Sequence, residues 1–358
     1  MGADSPDSHR LNGSSAAAGR APGGASNASG TPGGTLAGAP AHHLGPMLEP
    51  LIRQACEDRL SEIRWFRTDW QRGGAATAFA KLAPAATQPS ADGPLDVVIK
   101  LPIGPTEHRM LSGLASTTAP TPRVAYSGVE LGGYDLAWAV MERLPGQPLA
   151  THGHKQDFDQ LLHAAALFQF HAGAKWDLTE PRNGFDWPKL LEAAREFVKQ
   201  NHAHREHAWT HGIKHVRRGL NSLLGVWNAR TINTWCHGDL HPGNAMHRAQ
   251  GSPWGDPGTV LLDFDEVHPG HWVEDAVYLE RQYWGHPEAL GGAKPVSLLA
   301  KARRAIHLDT SDDYATLANV RRLLMAAVAP AFMHREGNPK YLDGAEDVME
   351  RMLIALKV

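Results

Sequence analysis

Cys236-His237-Gly238-Asp239-Leu240-His241-Pro242-Gly243-Asn244 and, a little further on, Leu261-Leu262-Asp263-Phe264-Asp265 decide how this chain is read. Asp239 and Asn244 stand five apart, and the Pro242-Gly243 turn between them lets a carboxylate and a carboxamide share one small space. The apolar run Thr259-Val260-Leu261-Leu262 reads as a buried strand that delivers Asp263 as a third oxygen group. Asp, Asn and Asp are hard ligands, and Mg²⁺ is held by one or two such groups together with phosphate oxygens and water. The set therefore describes a centre for phosphoryl transfer. Such a reaction has a loose transition state that needs positioning and charge neutralisation more than covalent help. In that scheme Asp239 orients and deprotonates an acceptor hydroxyl, while Asn244 and Asp263 hold the metal.

The spacing His-x-Asp-x-x-x-x-Asn matches the catalytic loop of protein kinases with Gly238 in place of their Arg, and Asp263-Phe264-Asp265 stands where they carry Asp-Phe-Gly. With that glycine, residues 60 to 285 resemble the aminoglycoside phosphotransferase and choline kinase superfamily, the small-molecule branch of the protein-kinase-like fold. The resemblance implies an α+β, two-lobed architecture: a small antiparallel-sheet N-lobe over 47–142 and a mainly helical C-lobe over 143–358, with ATP or GTP and Mg²⁺ between them. It also implies a hydroxyl-bearing small molecule as the acceptor: an aminoglycoside, an amino-alcohol or a sugar-like compound.

Composition narrows the partners. The 358 residues suffice for two domains, and a formal charge of -3 argues against a general nucleic-acid or anionic-membrane binder. No stretch reaches the length of a membrane-spanning helix. Two cysteines, Cys56 and Cys236, make no disulfide framework, which suits a reducing cytoplasm. Cys236 reads as a small buried residue beside the loop.

Residues 1–46 are Gly, Ala, Ser and Pro with almost no aliphatic bulk, and read as an unstructured tail without a secretory core or a myristoylation pattern. A short helix is expected over Leu48 to Leu60, then strands over Glu62 to Arg67 and Ala76 to Leu82. Between them Gly73-Gly74 makes either a plain hairpin turn or a backbone cradle for phosphate oxygens. Leu95 to Lys100 is a β-branched strand, and the resemblance gives Lys100 the α- and β-phosphates, where otherwise it is a solvated strand end. Glu107, in a helix expected to be capped by Thr106, is either the partner of Lys100 or an acid favoured at a helix N-terminus; seven residues is a short interval for the family.

The segment Met141-Glu142-Arg143-Leu144-Pro145-Gly146 is implied by resemblance to be the hinge, with backbone groups from Glu142 to Leu144 facing adenine. A long amphipathic helix through Phe158, Leu162 and Phe168 should support the catalytic loop from behind. Leu190 to Leu224 continues helically, and His207, His211 and His215 share a face if Gly212 does not break it; that face is solvated or substrate-facing, or binds metal. Asp275 resembles the family residue that fastens the catalytic loop. Helices over Pro295 to Ile306, Tyr314 to Arg335 and Tyr341 to Leu356 should wall the acceptor pocket.

Two features address the acceptor. Asp265, Glu266, Glu274 and Glu280, with Trp272, Tyr278, Tyr283 and Trp284, would suit a positive charge, or are ordinary surface acids and core aromatics. His241 either contacts phosphate or acceptor, or bonds to neighbouring backbone. A nucleotide-binding pseudokinase or scaffold is the competing reading, and the intact set Lys100, Asp239, Asn244 and Asp263 argues against it.

Overall fold

The computed structural model describes residues 41–66, 75–84, 93–151, 155–178, 184–332 and 339–358. Gly73 and Gly74 lie outside the described residues, as do residues 1–40 of the expected tail. A first helix, α1 (Ala41–Ala55), begins earlier than expected and ends five residues sooner, because Leu60 already belongs to a strand.

Five strands follow: β1 (Leu60–Phe66), β2 (Ala76–Leu82), β3 (Leu95–Leu101), β4 (Val124–Leu131) and β5 (Tyr134–Glu142). They form one antiparallel sheet in the order β1-β2-β3-β5-β4. Period-two alternation explains its two faces. Val97, Ile99 and Leu101 point into a core shared with Leu48 and Ile52 of α1 and with Trp138 and Val140 of β5. Lys100 must then face the opposite side, where it pairs in register with Thr77 on β2 and Ala139 on β5. On that side lies α2 (Pro105–Leu114), which buries Glu107, Met110, Leu111 and Leu114. Its N-cap is Gly104, not the expected Thr106. Pro105 takes the first helical position, where its fixed φ suits the helix and its missing N–H costs nothing.

The rest of the chain is mainly helical. α3 (Lys155–Lys175) runs through the centre of the larger core with Leu161, Leu162, Ala165, Phe168 and Ala172 all buried. α4 (Trp187–Gln200) and α5 (Glu206–Asn228) pack beside each other, with a break at residues 201–205 in the helical run read from Leu190 to Leu224. α5 passes through Gly212 unbroken, and a Cβ there would meet Met349 at 2.3 Å, so the glycine serves close packing. His211 and His215 on this helix have ring nitrogens 3.2 Å apart at the surface.

Two small antiparallel ladders interrupt the helices. β6 (Thr234–Cys236) pairs with β9 (His268–Gly270), and β7 (Ala245–Arg248) pairs with β8 (Gly258–Leu261). Then come α6 (Val273–Arg281), α7 (Pro295–Ala305), α8 (Tyr314–Ala327) and α9 (Pro339–Leu356). The single helix expected from Tyr314 to Arg335 ends at Ala327, and a short 3₁₀ turn, Ala329–Phe332, follows it. No helix among the described residues is long and apolar enough to cross a membrane.

Sheet and helices are joined at Glu142, the last residue of β5. Its carboxylate accepts two hydrogen bonds of 2.6 Å from Arg248 on β7, and both side chains are buried. The N–H of Arg123 also donates to it at 3.0 Å. Two buried charges are tolerable only with such complete pairing.

Candidate active site

The two ladders hold the loop between β6 and β7 against the exit of β8. The amide of Leu262 donates to the carbonyl of Asn244 at 2.8 Å, and the imidazole of His237 bonds through Nε2 to the carbonyl of Leu262 at 3.0 Å. His237 Nδ1 in turn accepts from the amide of Asp239 at 3.4 Å. One fully buried histidine therefore ties Asp239 to the strand that leads to Asp263. Burial, against the pull of Asp275, lowers its pKa, which keeps the ring neutral with one donor and one acceptor nitrogen. The rings of Phe168 and Phe264 pack on it at 6.2 and 5.2 Å between centroids.

Asp275 on α6 anchors the same loop. Its carboxylate accepts from the amides of His237 and Gly238, each at 3.0 Å, and from Gln169 Nε2 at 3.0 Å. Arg303 donates to the other end of Gln169 at 2.6 Å. This is the fastening role the sequence assigns to Asp275. Gly238 has φ +83, and a Cβ there would stand 2.2 Å from the carbonyl oxygen of Glu266. Any side chain is excluded, so the glycine in place of the kinase arginine is a steric requirement here.

Asp239 emerges with both carboxylate oxygens engaged. Oδ2 accepts from Asn244 Nδ2 at 2.9 Å, and the same amide nitrogen also donates to the Asp239 carbonyl at 3.0 Å. The phenol of Tyr278, one turn along α6 from Asp275, donates to Oδ1. His241 Nδ1 accepts from the amide of Gly243 at 3.0 Å, which leaves Nε2 to carry the proton, 3.7 Å from Asp239 Oδ2. His241 thus bonds to neighbouring backbone and faces Asp239 at once. Burial alone would raise the Asp239 carboxyl, but the imidazole of His241 first, and then the bond from Tyr278, outweigh it and hold its pKa at about 2. The carboxylate is ionised throughout the physiological range.

Lys100 and Glu107 meet as a bidentate pair, Nζ lying 2.8 and 2.7 Å from the two carboxylate oxygens. The short interval between them is possible because α2 starts directly after β3. Burial works against the lysine charge, yet Glu107 and then Asp263 outweigh it and raise the Lys100 pKa. Asp263 Oδ1 lies 3.9 Å from the same ammonium. Asp263 has φ +63, a left-handed conformation that turns its side chain out of the strand path into the cleft, where it is half exposed.

Oxygen atoms of Glu107, Asp263 and Asp265 all lie within 4.8 Å of one another. Lys100 takes both oxygens of Glu107, so Asp263 and Asp265 are the two carboxylates left to face a cation. Burial raises the Asp265 pKa despite Lys100, and the charge of Asp263 adds to the rise. A divalent cation would relieve that repulsion, and hard oxygen donors suit Mg²⁺. The sequence offers Asp265 only as an acceptor contact; its alternation with Asp263 around Phe264 is the signal for a shared site.

The remaining expected residues fall as follows. The Glu142 N–H donates to the Arg123 carbonyl at 2.8 Å and its carboxylate is spent on Arg248, so its N–H and side chain brace the lobes. Leu144, two residues on, is buried at the exit of the sheet. Cys236 is buried, and burial pushes its thiol well above the ordinary range, which makes it inert. Tyr278 is the residue whose role the sequence hid. In sequence it stands among aromatics suited to a cation, yet its hydroxyl holds Asp239. Of the acids in that group, Glu274 is neutralised by Arg230 at 3.3 Å and Arg321 at 3.8 Å, and Glu280 by Arg322 at 2.8 Å. Trp272 and Trp284 are buried core residues.

The fold is similar to that of an aminoglycoside phosphotransferase from Alicyclobacillus acidocaldarius, with 18% identity, 86% of this chain and 96% of that one covered, and a TM-score of 0.52. It is similar also to a microcompartment-associated aminopropanol kinase, with 16% identity, 86% and 98% covered, and a TM-score of 0.51. No curated protein matches the sequence. Residues 54–318 match the family model of the phosphotransferase enzyme family. That match spans most of the chain and contains every residue of the cleft just described, and on it the chain belongs to the phosphotransferase enzyme family.

Proposed function

We propose that this enzyme transfers the γ-phosphoryl group of ATP to a hydroxyl of a small molecule, with Asp239 as the base. The observation that carries the reading is the state of Asp239: ionised, its Oδ2 fixed by Asn244 and its Oδ1 by Tyr278, on a loop pinned by Asp275. A base held this way has little orientational freedom to lose when an acceptor arrives. Each carboxylate oxygen has a second lone pair, so an acceptor hydroxyl can still donate to it.

Lys100, oriented by Glu107, is suited to neutralise phosphate oxygens. Asn244, whose amide nitrogen faces Asp239, has its carbonyl oxygen left for a cation, and Asp263 and Asp265 supply carboxylates. Mg²⁺ bound there would neutralise charge on the transferring group. His241 Nε2–H is directed at the base and is placed to follow charge as the acceptor proton moves to Asp239. Leu144, at the exit of the sheet, would contact adenine, as the resemblance of its segment to a kinase hinge implies.

The test is calorimetric titration of Mg·ATP and Mg·GTP into wild type and Lys100→Met, followed by mass spectrometry of incubations with aminoglycosides, amino-alcohols, sugars and hydroxy acids. The reading expects ATP binding weakened about tenfold or more by the loss of one charge-assisted contact, and an acceptor gaining one phosphoryl mass. Nucleotide binding with no phosphorylated product from any acceptor would favour a pseudokinase.

A further inference from the structure

Arg281 is the last residue of α6 and sits one helical turn beyond Tyr278, on the same face. Its guanidinium lies 5.5 Å from the centre of the Tyr278 ring and 6.0 Å from that of Phe332. Tyr278 is the side chain that holds Asp239, so Arg281 lies against a residue in direct contact with the proposed base.

The charge of Arg281 is unusual for its surroundings. Among the described residues, the other buried or half-buried arginines of the helical lobe all have polar partners: Arg230 and Arg321 share Glu274, Arg248 takes Glu142, Arg322 takes Glu280, and Arg303 takes Gln169 and the carbonyl of Asp309. Arg281, also half-buried, meets only aromatic faces. A guanidinium has five N–H donors in a planar fork that matches a carboxylate or phosphate. Meanwhile Glu274 and Glu280, two of the four acids that would greet a cationic acceptor, are already neutralised, and a third, Asp265, stands with Asp263.

We infer that the acceptor carries an anionic group, a carboxylate or a phosphate, close to the hydroxyl that is phosphorylated, and that Arg281 binds that group. The inference rests on the phosphotransferase reading above and narrows its acceptor. Tyr278 and Phe332 flank the guanidinium, and an anionic group bound to it would make a charge-assisted bond.

The experiment measures phosphoryl transfer from Mg·ATP by the full chain over matched acceptors: hydroxy acids and sugar phosphates, each beside the amide, ester or amine of the same skeleton. Wild type, Arg281→Gln and Arg281→Lys are compared, with thermal melting to confirm folding. In wild type the anionic member of each pair should lead in kcat/KM by about tenfold or more. Arg281→Gln should raise KM for anionic acceptors by roughly ten- to hundredfold, with kcat within about threefold, and so erase the preference. Arg281→Lys should restore part of it. A purely structural role would slow all acceptors alike, and that result overturns the inference. A preference for neutral or cationic acceptors, insensitive to Arg281→Gln, overturns it while leaving the phosphotransferase reading intact. No transfer to any acceptor overturns both.

Discussion

Tyr278 and Asn244 divide the carboxylate of Asp239 between them, one oxygen each, and this sets what substitution does at the residue scale. Tyr278→Phe removes one of the bonds that keep the Asp239 pKa at about 2, so that pKa must rise. The acid limb of the rate profile should move to higher pH, and kcat at neutral pH should fall by about tenfold, the equivalent of one hydrogen bond to a charged group. A pH–rate series checks both; an unmoved limb with unchanged kcat would mean that the phenol does not act on the base. Gly238→Ala places a methyl group against the Glu266 carbonyl in a left-handed conformation. It should cost about 2 kcal/mol or more in urea unfolding. At this scale the sequence was informative where residues are neighbours in the chain. The approach of Asn244 to Asp239 follows from five residues and a Pro-Gly turn. Tyr278 on Asp239 joins α6 to a distant loop, and nothing in the spacing of either announces it.

At the scale of elements, β5 and β7 are riveted by Glu142 and Arg248, which are 3% and 6% exposed. Arg248→Met leaves a buried carboxylate unpaired and should destabilise by about 3–5 kcal/mol, whereas the double variant with Glu142→Leu should recover much of that loss. Thermal melting of the three variants measures the difference, and equal losses in single and double variants would count against the pairing. The strands were legible because alternation is local: Val97, Ile99 and Leu101 face the core and leave Lys100 on the other side. Helix ends were less so. The helix expected to run to Arg335 stops at Ala327, since a run of small apolar residues continues the helical pattern equally well into a 3₁₀ turn around Pro330. The seven-residue step from Lys100 to Glu107, short for the family, suffices because Gly104 and Pro105 start α2 at once.

For the whole molecule, buried charge sets the response to acid. Burial raises the Glu274 carboxyl, but His268, Arg321 and Arg230 outweigh it and hold the pKa at about 2. An unfolded glutamate titrates near 4.3. The native state therefore gains stability from Glu274 above about pH 4.3, of order 3 kcal/mol, and loses it as pH falls toward 2. Glu274→Gln should lower stability at neutral pH and flatten its dependence between about pH 2 and 4. Urea midpoints across that range test it, and an equally steep fall in the variant would assign acid unfolding to other groups. The family was legible across this scale because its signature is two short motifs and a lysine strand. The acceptor was not, because the charges of the side chains on α6 depend on ion pairs with Arg230 and with Arg321 and Arg322 of α8 that spacing does not announce. Glu274 and Glu280 read in the sequence either as partners for a positive charge or as ordinary surface acids and prove to be paired with arginines, while Arg281 stands without a carboxylate among the described residues.

The central claim is that Asp239 acts as the base for phosphoryl transfer to a small-molecule hydroxyl. Acceptor-dependent ADP release by wild type and Asp239→Asn, with Mg·ATP and the full acceptor panel, tests it most directly. The account predicts release that depends on the acceptor and falls by about two to four orders of magnitude in the variant, with ATP binding retained. Undiminished acceptor-dependent turnover in Asp239→Asn would contradict it.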